Sequence, residues 1–353
     1  MINLDNLNVY KKYDPQNMLA HIHNVPELCH QAWQMATTFY LPPDYSGIDK
    51  VVVLGMGGSA IGGDLAASLV TGEADMPILV QRDYTLPSFV DDNTLIIASS
   101  YSGMTEETLS AFGQALNTDA KKLVITTGGR LEELAQEKGI PIFSFDYKAQ
   151  PRAVLPFSFI PILNFLQRLG FINDKSADLD EMSVVLKQLA NNIDESSPLS
   201  RNKAKQLAYS LFGKLTVIYG SCITNEVARR WKTQINENSK AWAFYETFPE
   251  LNHNTVVGYS YPPELAPNIF VVMLKTRYLS QQILKRYQIT IQILEKSNIN
   301  SCVIEGLGES RLAQIMSLVL FGDYISYFLA ILNRVNPTPV EAIDFLKSQL
   351  GNK

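Results

Sequence analysis

The stretch VVVLGMGGSAIGGDLA, residues 51–66, decides the fold, because it joins a continuous apolar run to a glycine-rich turn and then to a helical segment. Apolar runs of this kind are typical of parallel strands buried on both faces. The glycines let backbone N–H groups approach a ligand, and the N-terminus of the following helix favours negative charge. The turn from Gly55 to Ala60 therefore predicts a binding site for a phosphate or a pyrophosphate.

The same turn has two alternative interpretations. Read as GxGxxA, it satisfies the relaxed dinucleotide-binding fingerprint, and Asp83 lies about as far along the chain as the acidic residue of that fingerprint. A tight turn without any ligand explains the glycines equally well.

A second polar loop follows another buried strand. The strand TLIIAS (residues 94–99) runs into SYSGMT (residues 100–105), which offers the hydroxyl groups of Ser100, Ser102 and Thr105 beside a flexible glycine. Neutral donors at the start of a helix suit a phosphomonoester. Thr105 could instead be a simple N-cap of a helix with an acidic first turn, but capping does not account for all three hydroxyls.

Buried-strand patterns recur along the chain and separate into two halves. The first half contains VVVLG, PILVQ, TLIIAS and KLVITT, and the second contains LTVIYG, NIFVVML and SCVIEG. When the stretch at 51–66 is laid on LTVIYGSCITNEVA (residues 215–228), Gly55 matches Gly220. Two copies of one α/β fold are the simplest explanation. Only the first copy has a serine and glycine cluster suited to an anion.

The predicted fold class is α/β, with two tandem three-layer α/β/α domains built on mainly parallel sheets. Asp14-Pro15, followed by apolar residues at helical spacing, predicts a leading helix over residues 14–40. We expect an N-terminal helical segment, a first domain that binds phosphate, a helical connection, a second domain and a C-terminal helix, over residues 1–44, 45–155, 156–205, 206–335 and 336–353.

Composition excludes several classes of protein. The 353 residues carry a net charge of −5, with 46% hydrophobic and 18% charged residues, which excludes a disordered chain and disfavours a protein that binds the nucleic-acid backbone. Three cysteines without a CxxC motif support neither a disulfide framework nor a thiolate zinc site, and they fit a reducing cytoplasm. The N-terminal residues show no apolar leader, and Asp323 interrupts the apolar stretch over 317–333. We expect neither export nor membrane spanning.

Several of these motifs together resemble a known family. GMGGSAIGGD (55–64) with SYSGMTEET (100–108) is similar to the sugar isomerase (SIS) domain, which binds sugar phosphates. The runs TNEVARRWKTQINENSKAWAF (224–244), PELNHN (249–254) and NPTPVEAIDFLK (336–347) resemble the bifunctional phosphoglucose/phosphomannose isomerase family, part of the phosphoglucose isomerase superfamily. The chain departs from the family at Met104, where the phosphate loop commonly has asparagine. Since backbone and hydroxyl groups do most of the holding, we expect the loop to remain functional.

The resemblance implies a role for each candidate residue. Glu237 would be the base that moves a proton between C2 and C1 of the open-chain sugar, Arg152 would stabilise the enediolate oxygens, and Lys347 would assist ring opening. His253 would open the sugar ring from the neighbouring subunit, which implies a homodimer with shared active sites. The C-terminal helix, which carries Lys347, would thereby contribute to the active site, and Thr338 would shape the pocket near C2. The implied phosphate-binding residues are Gly57, Gly58, Ser59, Ser100, Ser102 and Thr105.

The residues taken alone leave ordinary alternatives open. A lone glutamate on a charged helix, such as Glu237, is usually a solvated surface residue, and His253 could be a buried structural histidine. An exposed arginine after a proline would explain Arg152, and compensation of the helix dipole would explain Lys347.

The resemblance implies an aldose–ketose isomerase that interconverts glucose 6-phosphate and mannose 6-phosphate with fructose 6-phosphate through a cis-enediol(ate). No cofactor and no metal are expected, since His21, His23 and His30 fall in the leading helix without a second cluster of ligands. The expected partners are a phosphorylated hexose and a second copy of the chain, with no nucleic acid and no membrane, in the cytoplasm. Two rival classes remain: a non-catalytic SIS sensor of sugar phosphates and, from the glycine turn and Asp83, a nicotinamide dehydrogenase.

Overall fold

The computed structural model describes residues 2–351, which separate into two compact α/β units. The first unit contains residues 24–183 with 310–312, and the second contains the other described residues. In chain order the elements are α1 (Asn8–Tyr13), α2 (Met18–His23), α3 (Val25–Thr38), β1 (Lys50–Leu54), α4 (Gly57–Val70), β2 (Ile78–Gln81), β3 (Thr94–Ser100), α5 (Glu106–Ala115), β4 (Lys121–Thr126), α6 (Gly129–Glu137), β5 (Ile142–Ser144), α7 (Leu155–Arg168), α8 (Ser176–Ile193), α9 (Lys203–Leu211), β6 (Leu215–Ser221), α10 (Asn225–Ser239), β7 (Ala243–Phe248), β8 (Ile269–Lys275), α11 (Gln281–Lys296), β9 (Asn300–Glu305), α12 (Arg311–Asn333) and α13 (Glu341–Gln349).

The sheet of the first unit is parallel, with its strands in the order β2-β1-β3-β4-β5. Val52 of β1 pairs with Leu79 of β2 on one side and with Ile96 of β3 on the other. The α/β class with mainly parallel sheets is confirmed, as are the four strands predicted in this half. Strand β5 was not predicted.

Alternate residues of β1 face helices on opposite sides of the sheet. Val52 and Leu54 belong to one core cluster with Phe112 of α5. On the other face α4 lies so close to the sheet that a Cβ added at Gly63 would come within 2.9 Å of the Val53 side chain. Because both faces are covered, nearly every residue of β1 must be apolar, which explains the continuous run in the sequence.

The second unit repeats the strand topology of the first unit and the backbone conformation of the turn after its first strand. Its sheet is parallel in the order β7-β6-β8-β9, so β6 takes the place that β1 has in the first sheet. Two residues after the matched glycines the backbone is left-handed in both copies, with φ +49° at Gly57 and +52° at Cys222. The strands predicted from LTVIYG, NIFVVML and SCVIEG are confirmed as β6, β8 and β9, whereas β7 was not predicted.

Helix α12 is the apolar centre of the second unit. Trp231 of α10 packs on it at Gly322, where an added Cβ would lie 2.3 Å from the indole Nε1, and that Nε1–H donates to the Leu318 carbonyl oxygen at 2.8 Å. Among the described helices, α12 is long and apolar enough to cross a membrane. Its most apolar stretch is entirely buried within the protein, as in the core helix of a globular protein.

The prediction of one continuous helix over residues 14–40 is wrong. Helix α2 ends at His23 and α3 begins at Val25, with Pro26 in the first turn of α3. Proline has no N–H to continue an existing helix but fits the first turn of a new one, so the sequence starts a second helix there. The Asp14 carboxylate accepts hydrogen bonds from two backbone N–H groups at the start of α2, at 2.8 and 3.0 Å.

Candidate active site

Two loops meet at the carboxyl ends of β1 and β3 in the first unit. Because β1 lies between β2 and β3, this is the point where the strand order reverses, and open α/β sheets bind their ligands in the crevice at such a point. The order β2-β1-β3-β4-β5 is the flavodoxin-like one and differs from the dinucleotide-binding order. Asp83 is exposed, and its carboxylate accepts from the Tyr84 N–H at 2.6 Å. The topology therefore counts against the dehydrogenase interpretation.

The loop after β1 turns directly into α4. Met56 at the N-cap position is extended and makes no side-chain cap. Its carbonyl oxygen accepts from the Ser59 and Ala60 N–H groups at 3.0 and 3.2 Å, so Gly57 and Gly58 provide the first-turn N–H groups that remain for another acceptor. Gly57 has φ +49°, and a Cβ there would meet no atom within 4 Å, so the backbone conformation rather than crowding calls for glycine.

The hydroxyl groups of the two loops form a connected set. Ser59 Oγ, in the first turn of α4, accepts from the Tyr101 N–H at 3.2 Å and so ties the first loop to the second. Ser100 Oγ lies 3.0 Å from Thr105 Oγ1, and Ser102 Oγ accepts from the Met104 N–H at 3.2 Å. Thr105 occupies the N-cap position of α5, yet its side chain makes no capping hydrogen bond, so capping does not explain its hydroxyl.

Gly103 holds the second loop against the rest of the sheet edge. It has φ +63°, and an added Cβ would lie 1.8 Å from the Gly128 carbonyl oxygen, so only glycine fits. The side chain of Met104 is 55% exposed, and its sulfur lies 3.3 Å from the Arg130 backbone nitrogen. The departure at Met104 thus places a thioether at the surface and leaves the hydroxyl contacts of the loop in place.

Arg152 lies beside the first loop. It belongs to a 3₁₀ turn, Pro151–Ala153, which packs so closely on α4 that a Cβ added at Gly58 would come within 2.7 Å of the Pro151 carbonyl oxygen and 3.3 Å of the Arg152 nitrogen. The arginine is only 3% exposed, so it is not the exposed residue of the alternative interpretation. The structure therefore brings a buried cation and the hydroxyl-lined loops together within one unit.

Glu237 lies in the second unit, in the last turn of α10, where it is partly buried. It lines a cavity of about 560 Å³, and the other lining residues are Asn236, Lys240, Val335, Asn336, Pro339, Val340, Glu341, Ala342 and Ile343. The neighbouring amide of Asn236 donates to the Ala241 carbonyl oxygen at 2.8 Å, and that of Asn238 donates to Ser326 Oγ at 2.9 Å. Both amides thus fix the end of the helix that carries the carboxylate.

Lys240 connects the end of α10 to the segment before α13. It ends the helix in the left-handed conformation, with φ 54°, and its ammonium group donates to the carbonyl oxygens of Glu237 and Pro337, the latter at 3.2 Å. Thr338, in the same segment, is 9% exposed. Lys240 and Asn336 line the cavity but were not among the predicted site residues, although the position of Lys240 directly after a long helical pattern was a signal for a C-cap.

His253 lies at the surface of the second unit, so it is not a buried structural histidine. Its 3₁₀ turn, Glu250–His253, is anchored by the buried Leu251, and the following turn is anchored by a 2.8 Å hydrogen bond between the Tyr259 and Tyr219 hydroxyls. Burial raises the pKa of both phenols, so they stay protonated and the anchor is neutral. His253 is not among the residues that line the Glu237 cavity.

Asn252 and Asn254 do not serve to orient the His253 ring in the structure. Asn252 bonds to Thr290 Oγ1 at 2.9 Å and to Arg286 at 3.2 Å, whereas Asn254 donates to Glu250 at 2.8 Å.

Lys347 lies on α13, where every side chain over residues 341–349 is exposed. Phe345 is 67% and Leu346 is 57% exposed, so this helix presents apolar as well as charged groups to its surroundings. Lys347 does not line the Glu237 cavity. Within residues 2–351, no group of three or more His, Cys, Asp or Glu side chains is placed to hold a metal ion.

Two parallel sheets of one topology, with hydroxyl-lined loops at the switch point of the first, define a tandem SIS-type α/β protein. A family model described as the bacterial phospho-glucose isomerase C-terminal SIS domain matches residues 200–350. A solved structure of a glucose-6-phosphate isomerase like protein from Thermus thermophilus superposes with a TM-score of 0.63 at 18% identity, over 96% of this chain and 99% of that one.

Curated relatives are much closer in sequence. A bifunctional phosphoglucose/phosphomannose isomerase of Caldicellulosiruptor bescii is 42% identical over 95% of this chain and 99% of its own length, and one of Aquifex aeolicus is 37% identical over 91% and 98%. The chain belongs to the bifunctional phosphoglucose/phosphomannose isomerase family, as its motifs predicted.

Proposed function

We propose that the protein interconverts glucose 6-phosphate and mannose 6-phosphate with fructose 6-phosphate, by proton transfer through a cis-enediol(ate). The observation that carries the proposal is the pair of hydroxyl-lined loops at the switch point of the first sheet, in a chain 42% identical to a bifunctional phosphoglucose/phosphomannose isomerase. Hydroxyl and helix N-terminal donors suit the phosphate at the unreactive end of the sugar.

The proposed roles divide between holding the substrate and reacting with it. The loops bind the phosphate, so binding energy from the unreactive end orients C1 and C2. Glu237 carries the proton between C2 and C1, Arg152 stabilises charge on the enediolate oxygens, and His253 and Lys347 open the ring. Because the enediol is planar at C2, a pocket shaped there by Thr338 processes both aldoses with one set of residues.

Direct measurement of product tests this activity. Chelator-treated protein without added nicotinamide is expected to form fructose 6-phosphate from mannose 6-phosphate and from glucose 6-phosphate, as followed by chromatography. A sensor would bind the sugar phosphates without turnover, and a dehydrogenase would require the nicotinamide. Absence of product from both aldoses would reject the proposed activity.

We also propose a homodimer in which His253 completes the active site of the neighbouring subunit. In the turns that follow His253, Val257 and Tyr261 are each 82% exposed. Large apolar side chains grouped at a surface are typical of an interaction site. A second copy of the chain would cover them and bring His253 to a site other than its own.

Mixed dimers test the shared site. Glu237→Gln and His253→Ala chains, co-expressed in equal amounts, are expected to form mixed dimers with about half of the parent specific activity, because each mixed dimer has one intact site out of two. The measurement is the specific activity of dimers isolated through two different tags, with doubly tagged His253→Ala dimers as the control. No recovery in mixed dimers would show that each chain holds a complete site.

The environment proposed for the protein is the cytoplasm, without a nucleic-acid or membrane partner. The net charge of −5 supports the first exclusion, because an acidic chain repels the phosphate backbone.

A further inference from the structure

Helices α10 and α12 are joined by a buried row of polar side chains. Arg230, Gln234 and Asn238 recur at four-residue spacing and so share one face of α10. Ser239 extends the row to the end of the helix, and Asp323 and Ser326 face it from α12. We call these six residues the polar ladder.

Each step of the polar ladder is a direct hydrogen bond between the two helices. Arg230 donates to both Asp323 oxygens at 3.0 and 2.8 Å, and Gln234 donates to Asp323 Oδ1 at 2.7 Å. Asn238 donates to Ser326 Oγ at 2.9 Å, and Ser239 Oγ donates to the Ser326 carbonyl oxygen at 2.6 Å. The bonds therefore run along α10 from its middle to its last turn, which carries Glu237.

Stability alone does not account for these groups. Arg230 is 2% and Asp323 is 3% exposed, so this ion pair is almost completely removed from water. Removing two charges from water offsets most of what their attraction contributes, so apolar residues of similar volume usually stabilise such an interface as well or better. Buried polar contacts do fix one register between helices, since any other register leaves them unsatisfied.

Register matters here because the polar ladder ends in the same turn of α10 that carries Glu237. A shift of α10 by one residue along α12 would rotate the Glu237 carboxylate by about 100° and move it by about 1.5 Å along the axis. Misplacement of a catalytic group by about 1 Å can cost about a hundredfold in rate. An apolar interface alone would tolerate such adjustment more readily than one with directional bonds.

We infer that the polar ladder, with Asp323 at its centre, positions Glu237 for proton transfer. This inference rests on the proposed function, in which Glu237 is the base. Asp323 is a positioning residue: it acts through Arg230 and Gln234 on the helix and has no assigned contact with the sugar.

A variant that replaces the ladder without emptying the core tests the inference. Arg230→Met, Gln234→Leu and Asp323→Leu together remove the central bonds and retain apolar volume. We expect this triple variant to melt within a few degrees of the parent, with kcat lowered about tenfold to a hundredfold and KM within about twofold, because substrate binding does not depend on the base. If the polar ladder only stabilised the fold, a triple variant as stable as the parent would also have the kcat of the parent.

A second measurement, a second variant and a control complete the test. Hydrogen exchange of the amides in the last turn of α10 is expected to rise at least about tenfold in the triple variant, a readout that does not depend on activity. Should the triple variant not fold, Asn238→Leu with Ser326→Ala removes the side-chain bond between Asn238 and Ser326 and keeps the Ser239 bond to the Ser326 carbonyl oxygen, and a kcat loss in the same direction with faster exchange is expected. The control is Glu226→Gln with Arg229→Met, which removes a 2.8 Å ion pair on α10 that does not reach α12.

The outcomes separate the two proposals. An inactive parent rejects the proposed function, while the exchange measurement still decides whether the ladder holds the last turn of α10. An active parent with a stable triple variant of unchanged kcat and unchanged exchange overturns the inference.

Discussion

Replacing Glu237 with glutamine is expected to lower kcat at least about a hundredfold for both aldoses, since a positioned general base typically contributes about 10²–10⁴-fold. Glutamine has nearly the same shape, but its amide cannot accept and return a proton. The phosphate loops lie in the other unit and are unchanged, so fructose 6-phosphate should bind with a dissociation constant within about twofold of the parent value. Turnover is measured from each aldose, and binding by calorimetry.

Isotope exchange with solvent reports the proton-transfer step directly. In D₂O the parent is expected to introduce deuterium at C1 of fructose 6-phosphate and at C2 of the aldoses, and Glu237→Gln should lower that exchange as much as it lowers kcat. Glu226→Gln serves as the control, because this carboxylate lies in the first turn of the same helix and pairs with Arg229. Near-normal turnover or exchange in Glu237→Gln would remove Glu237 from the mechanism.

The strands could be predicted where helices cover both faces of a sheet. In β3 every residue is buried, and residues 95–98 at its centre are continuously apolar, so the strand is visible as a run. Strands β5 and β7 lie at sheet edges and escaped prediction. β5 has three residues with Phe143 as its buried one, and β7 follows the end of α10 so closely that its residues read as a continuation of the helical pattern. The edge strands β2 and β9 were predicted, so it is the short length of β5 and the nearness of β7 to α10, and not the edge position, that hid these two strands.

The two hydroxyl-lined loops, as strand-to-helix turns, could be predicted because each is encoded by consecutive residues at one junction. The surroundings of Arg152 and Glu237 could not be predicted, because they depend on contacts between distant parts of the chain. The backbone at Arg152 packs against Gly58, and Lys240 of the Glu237 cavity bonds to Pro337, which is 97 residues further along. Local periodicity carries no information about such pairs. The family resemblance pointed to these residues without indicating how they are held.

Replacing Arg152 with methionine is expected to lower kcat about a hundredfold to a thousandfold, the cost of removing one preorganised donor from a developing oxyanion. Arg152 is only 3% exposed, so its charge acts with little screening by water, and methionine retains much of the apolar stem that fills the site. Arg152→Lys should lower kcat by a smaller factor, because lysine keeps the positive charge. Some loss is still expected, because lysine lacks the planar fork of donors. Steady-state kinetics with each aldose give kcat, and calorimetry gives the affinity for inorganic phosphate.

The changes in kcat, in KM and in the affinity for phosphate together decide what Arg152 does. Its backbone packs on the first turn of α4, so a role in holding the phosphate is the physical alternative to a role at the enediolate. If the arginine stabilises the enediolate, Arg152→Met lowers kcat and leaves phosphate affinity within about threefold, because only interactions made in the transition state are lost. If it instead holds the phosphate, KM rises and kcat at saturation survives, which would contradict the assigned role. Arg130→Met is the matched control, since Arg130 is an exposed arginine of the same unit, paired with Glu133 at 2.8 Å. This control variant should leave kcat, KM and the affinity for phosphate unchanged.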